Sequence, residues 1–577
     1  MPRRLLALAA LLLVAAPLRA QIAVTADTPL RPVTRTFALT NARVVQSPGR
    51  VLDRATVLIR DGRIEAVGPR VRVPYDAEVI EADSLTVYAG FVDALGHAGL
   101  TEPERPENEE RLPDPSNPPR ERSGVQPERD VRAMVDPKHA SFEQWRALGF
   151  TAAHTVPYGL MLPGQGAVVL LREPRREERP EAVILTGPIS LFAQFEPGRG
   201  AYPSTAEGIL AVLRERFIEA GRRRELGRRH ARDPERTSRP LYDPVLEALA
   251  PTLDGERPLF FYVENTNEAF RALRVARELE VPVVLAGVPE ATPLLPRLRE
   301  AEVPVLAPLA LPDTVKLDTS DAEHPALMTP TTRPNGMLWV VPRRTASYRD
   351  LPAERAAMRA QQRSAVGIRA ANAATLAEAE VPFAFTTLGA KPGDVRKNLQ
   401  RMIAAGLAPD DALAALTTAP ARLLGLDRQL GTVEPGRLAN LVVTDGDYFD
   451  EDTKVRYVFV EGVRYEMDAD TTAVADSAVV AVGTWTMEVA IPSGTETVTV
   501  TIEGEADALN GRIEMTDYTA LLETVTLQGR TLSFRYPGPE GRPVTVTGTI
   551  TGDRFEGSAE EGGTSFPVTG TRRPSSD

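Results

Sequence analysis

The stretch that decides the fold is Val87–Leu100, which reads VYAGFVDALGHAGL. It follows a β-rich segment, Phe37–Tyr88, in which apolar and polar residues alternate between turn signals such as Asp61-Gly62. A long alternation of strand-like and helix-like segments comes after it. We therefore predict that Val87–Leu100 ends the first strand of an α/β barrel.

The segments downstream of this stretch support a barrel. Short apolar runs bounded by Pro or Gly are typical of parallel strands that are buried on both faces. The runs are Thr151–Pro157, Glu181–Gly187, Pro258–Val263, Val281–Gly287, Val303–Leu311 and Val381–Ala390. Between two of them, Thr266–Glu280 has apolar residues at near-helical spacing. This pattern predicts a TIM-type (β/α)8 barrel over residues 91–425, whose active face lies at the C-terminal ends of the strands.

Two β-rich flanks are expected to form one composite β-sandwich. The first flank is residues 21–90. The second is residues 426–467, which contains the strand-like runs Leu438–Phe449 and Val455–Met467, the latter with a tight turn at Glu461-Gly462. Segments far apart in a chain can close one domain because its ends are often neighbours in space.

Two polar segments interrupt the barrel pattern. Residues 101–131 are dense in Pro, Glu and Arg. This composition is typical of a disordered insertion or of a long polar loop beside the barrel mouth. A run of arginines between Arg214 and Arg239 is most simply an exposed charged helix.

The C-terminal region has a different pattern. After a linker at residues 468–482, residues 483–577 alternate in period two between turn signals such as Asn510-Gly511. We predict a separate antiparallel β barrel or sandwich. Its opening, Gly483-Thr484-Trp485, resembles the start of lipocalin-like barrels, and Trp485 is expected to fill the core at one end.

Composition and the N-terminus limit the compartment and the partners. The 577 residues include 67 Lys+Arg and 79 Asp+Glu, a net charge of −12, which offers no broad basic face to nucleic acid. Residues 1–20 have a positive start, a short apolar run and a small residue before Gln21, so we predict a cleaved signal peptide and a periplasmic or extracellular protein. No later apolar run is long enough to span a membrane.

Metal and nucleophile chemistry is also limited by composition. The chain has 0 Cys, which excludes disulfides, thiolate nucleophiles, Cys-ligated zinc and iron–sulfur clusters. Five histidines remain for metal or acid–base roles: His97, His139, His154, His230 and His324.

Three stretches resemble the amidohydrolase superfamily. Val87–Leu100 resembles the end of that superfamily's first barrel strand, Gly-Phe/Leu-Ile/Val-Asp-x-His-x-His. Thr417–Asp447 (TTAPARLLGLDRQLGTVEPGRLANLVVTDGD) is similar to its C-terminal stretch, and Leu160–Leu171 (LMLPGQGAVVLL) is similar to a stretch of its secreted, imidazolonepropionase-like members. The resemblance implies a metal-dependent barrel hydrolase that acts on carbon–nitrogen bonds.

The metal-ligand positions that the resemblance implies are mostly filled by other residues. The pair of histidines after strand one reads Leu95 and His97. The strand-five His falls on or near Tyr262, the strand-six His on Ala286 or Gly287, and the strand-eight Asp on Leu388. His97 is the only matching ligand. No Lys that could bridge two metals occurs between Ala140 and Val315. We therefore expect no cofactor, with zinc or another divalent ion only if an atypical site exists.

Other residues could rebuild a site. A cluster of His97, His154 and Glu264 at the strand ends is geometrically conceivable, and Glu264 with Glu290 is the only carboxylate pair that we can propose at the mouth. Asp93 matches the motif Asp, and we expect it to fix the backbone at the strand end.

Function follows from the site and not from the fold. We expect a non-catalytic barrel that binds a small molecule, a peptide or a partner chain through the old active-site face. The partner could be a catalytic relative or a second copy of the chain. The alternative is an active hydrolase of carbon–nitrogen bonds, in dipeptides or non-peptide substrates, with an atypical site.

Overall fold

A computed structural model describes residues 36–103, 111–175, 178–312, 351–467, 481–491, 494–503, 509–515, 518–528, 531–538, 543–551, 554–561 and 564–573. The predicted signal peptide, His324 and nearly all of the predicted linker lie outside the described residues. No helix among the described residues is long and apolar enough to cross a membrane.

The chain begins with five strands of a β-sheet. They are β1 (Thr36–Ser47), β2 (Arg50–Arg60), β3 (Arg63–Gly68), β4 (Glu78–Glu81) and β5 (Thr86–Ala89). β1 pairs antiparallel with β2 and parallel with β4 and β5. The turn between β2 and β3 uses Asp61 and Gly62, both with positive φ, as the sequence pattern predicts.

Eight strands then form the barrel sheet. They are β6 (Phe91–Gly96), β7 (Phe150–Thr155), β8 (Gly164–Leu170), β9 (Ile184–Gln194), β10 (Leu259–Tyr262), β11 (Val283–Ala286), β12 (Val305–Pro308) and β13 (Phe383–Thr386). Each strand lies beside the next in chain order. The last strand returns to the first, where the backbone N–H of Thr387 donates to the carbonyl of Leu95 at 3.2 Å. The predicted TIM-type barrel is confirmed.

One strand runs against the others. β8 pairs antiparallel with both β7 and β9, whereas β6 with β7 and the pairs from β9 to β13 are parallel. Only residues 156–163 connect β7 to β8. A parallel crossover needs about a dozen residues or more, so this short connection forms a hairpin instead.

Ten helices accompany the described strands. They are α1 (Arg120–Ser123), α2 (Ala140–Ala147), α3 (Ala206–Arg232), α4 (Pro244–Leu253), α5 (Thr266–Leu279), α6 (Leu295–Glu300), α7 (Leu351–Glu378), α8 (Val395–Ala404), α9 (Pro409–Leu416) and α10 (Thr418–Leu423). α5 begins where the Asn265 side chain accepts from the N–H of Glu268, and it buries Ala272 and Val275 against the sheet. Arginines of α3 pair with Glu278, Glu247 and Asp254, as expected for an exposed charged helix.

Residues 111–131 of the polar insertion lie along the barrel rim. Val125 forms a β-bridge with Leu162, and the N–H of Arg199 donates to the carbonyl of Arg122 at 3.0 Å. These backbone pairs correspond to the second expectation, a long polar loop beside the barrel mouth, and the disorder of the insertion stays a prediction.

Three later strands complete the first sheet: β14 (Leu441–Thr444), β15 (Val455–Val460) and β16 (Val463–Glu466). The sheet order is β16-β15-β14-β5-β1-β2-β3, with β4 on β1. Leu441 lies opposite Ala89, so the two flanks of the barrel meet at the β5–β14 pair. Leu39, Val57 and Phe459 lie in its buried core. Both flanks thus build the predicted composite sandwich.

The C-terminal region is one antiparallel sheet. Its strands are β17 (Gly483–Ile491), β18 (Gly494–Glu503), β19 (Asn510–Glu514), β20 (Thr519–Leu521), β21 (Thr524–Gln528), β22 (Thr531–Pro537), β23 (Pro543–Thr551), β24 (Arg554–Glu561) and β25 (Thr564–Arg573). The order is β20-β19-β18-β17-β25-β24-β23-β22-β21. The sheet curves around its own core, where Trp485 is fully buried and donates from Nε1 to the carbonyl of Ala481 at 2.7 Å.

Candidate functional site

His97 follows the end of β6 at the barrel mouth. Its Nδ1 lies 2.7 Å from the carbonyl oxygen of Val156. Because a carbonyl only accepts, Nδ1 carries the proton and Nε2 keeps a free lone pair. The ring stacks on Tyr158, with 3.8 Å between centroids. Burial lowers the pKa of His97 to about 4, so the imidazole is neutral at pH 7.

Asp93 lies two residues before Leu95 on β6 and is buried. Its Oδ1 accepts from the backbone N–H groups of Leu95 and Thr387, each at 3.1 Å. Its Oδ2 accepts from the Thr387 hydroxyl at 2.5 Å. Burial raises the pKa of Asp93 to about 6, although these hydrogen bonds favour the carboxylate. Asp93 thus joins the end of β6 to the end of β13.

His154 lies inside the barrel on β7 and is fully buried. Its Nδ1 donates to the carbonyl of Ala94 at 2.8 Å, and Nε2 accepts from the hydroxyl of Ser190 at 2.7 Å. The ring of Phe260 packs edge-on against the imidazole at 4.7 Å. Burial lowers the pKa of His154 to about 4. Both ring nitrogens are already bonded, so His154 has no lone pair left for a metal or a substrate.

The remaining ligand positions carry no metal-binding side chain. Leu95 and Leu388 are buried leucines. The ring of Tyr262 packs over Gly287, where an added Cβ would overlap it. Burial, followed by the charges of Glu264 and Glu268, raises the pKa of Tyr262, which keeps the phenol protonated. These residues do not fit a divalent ion, which needs three or more N/O ligands.

The cluster of His97, His154 and Glu264 does not form. No group of three or more His, Asp or Glu side chains that could hold a metal occurs in the described part of the chain. The prediction fails because both nitrogens of His154 are bonded inside the barrel, whereas Glu264 is exposed before α5. The backbone N–H of Glu264 donates to the carboxylate of Glu268 at 2.8 Å. The pairing of Glu264 with Glu290 stays a prediction.

Two other histidines serve local structure. His139 Nδ1 caps α2 beside Ser141, and His230 Nδ1 lies 2.6 Å from the carbonyl of Thr237 after α3. Neither is among the contacts of His97 at the mouth.

Several residues of the mouth have no signal in the sequence pattern. Gln194 ends β9 and donates from Nε2 to the carbonyls of Gly159 at 2.7 Å and Leu160 at 3.1 Å. Arg129, in the insertion, donates to the carbonyl of Tyr158 at 2.8 Å. These bonds fix the β7–β8 loop so that Tyr158 covers His97. The one available signal is that Tyr158 directly follows a strand-like run.

Comparisons with known proteins agree with this architecture. Residues 305–465 match the model of the Amidohydrolase family. The crystal structure of an amidohydrolase from Thermotoga maritima MSB8 is similar in fold, with a TM-score of 0.56 and 23% identity over 75% of this chain and 100% of that chain. No curated protein matches the chain.

Two further solved structures are more distant. A putative prolidase from Bifidobacterium longum has a TM-score of 0.39 and 17% identity over 78% of this chain and 100% of its own. An adenosine deaminase from Xanthomonas campestris with bound zinc has a TM-score of 0.38 and 15% identity, over 76% of this chain and 95% of its own. The family match over residues 305–465 confirms the resemblance inferred from the sequence, on a barrel that is similar in fold to the Thermotoga protein.

Proposed function

We propose that the chain is an exported, non-catalytic amidohydrolase-fold protein whose barrel mouth binds a small molecule, a peptide or a partner chain. The observation that carries this proposal is the side-chain chemistry at the strand ends. Leu95 and Leu388 are buried apolar residues at positions where the family has metal ligands, and His97 is the one matching imidazole. The superfamily fold by itself supports a hydrolase-type function, so the proposal rests on the site.

The bonding of the mouth residues favours binding over hydrolysis. Activating a water molecule at neutral pH needs an ion held by several ligands, or a base with a suitable pKa. One imidazole does not hold an ion, and a pKa of about 4 makes His97 a weak base. The carboxylate of Asp93 is occupied by three donors. Neither His97 nor Asp93 is therefore suited to activate water.

The same residues are suited to recognition. Nε2 of neutral His97 can accept a hydrogen bond from a ligand N–H or O–H. Tyr158 stacks on His97 and the edge of the Phe192 ring faces the imidazole, with 6.5 Å between centroids, so the acceptor lies in an aromatic environment. A neutral planar group with a donor would be complementary to it. A catalytic relative or a second copy could present such a group as readily as a small molecule.

The metal content of the purified protein tests this proposal. Chain exported by cells grown with added zinc, manganese and iron should contain well under one metal equivalent, measured by plasma mass spectrometry. His139→Ala is a matched control, since that imidazole lies outside the mouth. The proposal would be overturned if the wild-type chain and His139→Ala each contained one equivalent of bound metal and His97→Ala contained none.

The alternative function is hydrolysis of carbon–nitrogen bonds at an atypical site, which the superfamily fold favours. Its test is turnover of dipeptides and cyclic amides. Activity that is lost in His97→Ala and kept in His139→Ala would establish the hydrolase and contradict the non-catalytic proposal. Absence of turnover across both substrate classes supports the binding function.

A further inference from the structure

The loop that covers the barrel mouth is anchored on both sides of Tyr158. It comprises residues 156–163, between β7 and β8, and all of them are buried except Tyr158 and Gly159, which are half-buried. Val156 before this pair is 0% exposed, and Leu160 after it is 5% exposed. A large movement of the loop would bring these apolar side chains into water, which costs free energy. Movement is therefore confined to the two half-buried residues.

The main chain at Tyr158 is held by two other parts of the chain. Arg129 of the polar insertion donates from Nη1 to the carbonyl of Tyr158 at 2.8 Å and to that of Pro163 at 3.4 Å. Gln194, at the end of β9, donates to the next carbonyl, that of Gly159, at 2.7 Å. These bonds fix the point from which the Tyr158 side chain leaves the backbone.

The guanidinium of Arg129 forms these bonds in place of an ion pair. It is partly buried, and burial lowers the pKa of Arg129. Among the described residues no carboxylate pairs with it, and the neighbouring Glu128 pairs with Arg120 at 3.0 Å. A partly buried cation with no carboxylate partner is destabilising by itself. The contacts of Arg129 are therefore better explained by the position that they give to Tyr158 than by a gain in stability.

The side chain of Tyr158 is held less firmly than its backbone. Its ring stacks on the imidazole of His97, with 3.8 Å between centroids. Its hydroxyl forms no hydrogen bond with the part of the chain that the structure describes. One ring stack is a weak contact, and a side chain can turn about its own bonds while the backbone stays in place. The ring can therefore leave His97 without unfolding the loop.

We propose that the Tyr158 side chain is a gate over His97 and that Arg129 is the positioning residue that fixes its hinge. The proposal rests on the function proposed for the mouth, in which Nε2 of His97 accepts a hydrogen bond from a ligand. With the gate closed, the phenol ring occupies one face of the imidazole. A ligand that takes the place of this ring has to be flat, so the gate selects aromatic and heteroaromatic groups.

Acylation of His97 by diethyl pyrocarbonate tests the gate without a ligand. The reagent modifies a free nitrogen of a neutral imidazole, and peptide mass spectrometry measures the rate at each histidine of the full chain after dialysis against EDTA. Tyr158→Ala should raise the rate at His97 by about three- to tenfold, because the protection given by one ring stack is lost. Tyr158→Phe keeps the ring and should react within about twofold of the wild-type chain.

A double-variant comparison tests the role of Arg129. Arg129→Ala alone should raise the rate at His97, and Arg129→Lys, which keeps a donor for the carbonyl of Tyr158, should raise it less. Added to Tyr158→Ala, Arg129→Ala should have no further effect, because both substitutions remove the same cover. Arg299→Ala, which removes a bond to the carbonyl of Ala379 elsewhere on the barrel, is the matched control and should leave the rate unchanged.

Three outcomes would overturn the proposal. The first is a rate at His97 that Tyr158→Ala leaves at the wild-type value. The second is a further increase when Arg129→Ala is added to Tyr158→Ala, since Arg129 would then act on the mouth by another route. The third is modification of His154 in Tyr158→Ala, since both nitrogens of His154 are bonded and its reaction would report unfolding of the barrel. None of these rates depends on bound metal, so failure of the gate is distinguishable from failure of the non-catalytic proposal, which the metal content decides.

Discussion

His97 and His154 both lie near the end of a barrel strand, but their hydrogen-bond partners differ. His154 bonds through both ring nitrogens, to Ala94 and Ser190, whereas His97 bonds through Nδ1 alone. The residue types were visible in the sequence, but these partners lie on other strands. A local pattern does not specify them, because they depend on strand register and on the direction in which each side chain points.

The burial of His154 predicts a pH dependence of stability. The pKa of His154 is about 4 in the folded chain, against 6.5 for an ordinary histidine, so as pH falls from 6.5 to 4 the unfolded chain takes up a proton that the folded chain does not. Stability should fall across this window, by up to about 3 kcal/mol from this residue. The free energy of unfolding, measured by urea denaturation at several pH values, should fall less between pH 6.5 and pH 4 in His154→Gln than in the wild-type chain.

Asp93 contributes to the pH dependence of stability with the opposite sign. Its pKa of about 6 lies above the ordinary value of 3.8 for an aspartate, so its contribution to the free energy of unfolding decreases as pH rises from 3.8 to 6 and is constant above pH 6. Asp93 is present in both the wild-type chain and His154→Gln. The difference between their pH dependences of stability therefore isolates the contribution of His154. A ring titration of His154 near pH 6.5, measured by NMR, would contradict the prediction.

At the scale of elements, β8 departs from the pattern expected for a TIM-type barrel. Its apolar run fits a strand in either direction, and its direction follows from the short connection to β7. Gly166 on β8 faces the His154–Ser190 pair. A Cβ there would lie 2.5 Å from both His154 Nε2 and Ser190 Oγ. Glycine is therefore required for β8 to pack over this pair.

Gly166→Ala should destabilise the protein. Overpacking of a buried site costs about 1–3 kcal/mol, and here the neighbours are a bonded pair with little freedom to shift. The matched control is Gly221→Ala on α3, where nothing lies within 4 Å of the added Cβ. It should stabilise by about 0.5–1 kcal/mol, because alanine is the better helix former. Chemical denaturation measures the change in the free energy of unfolding for both variants. Equal changes in Gly166→Ala and Gly221→Ala would refute the packing argument.

At the scale of the whole molecule, one face of the sandwich packs into the core of the barrel. Tyr88, Tyr448 and Val458 of the sandwich flanks belong to the same buried cluster as the barrel strands. The C-terminal sheet has its own cluster around Trp485, and the described residues of the two clusters do not overlap. Two cores of this kind should unfold as separate cooperative units.

Tryptophan substitutions test this separation. Trp485→Ala should lower the unfolding transition of the C-terminal sheet, since deleting a buried aromatic side chain costs about 3–5 kcal/mol. Trp145→Ala, in the barrel cluster, should lower the other transition. Scanning calorimetry distinguishes them. A single transition that moves with either substitution would show one cooperative unit instead.

The sequence by itself determined the layout of the molecule and the residue types at its strand ends. Apolar periodicity and turn residues are local properties, so they predicted the barrel, the sandwich built from both flanks, and the C-terminal antiparallel sheet. Residue identity is also local, so Leu95 and Leu388 excluded the family's ligands at those positions.

Only the tertiary structure decided how polar side chains are used. It joined Asp93 to Thr387 and His154 to Ser190, and it paired Val125 of the insertion with Leu162 at the rim. These contacts join residues far apart in the chain, so their geometry is fixed by packing and register between elements and not by any pattern within one.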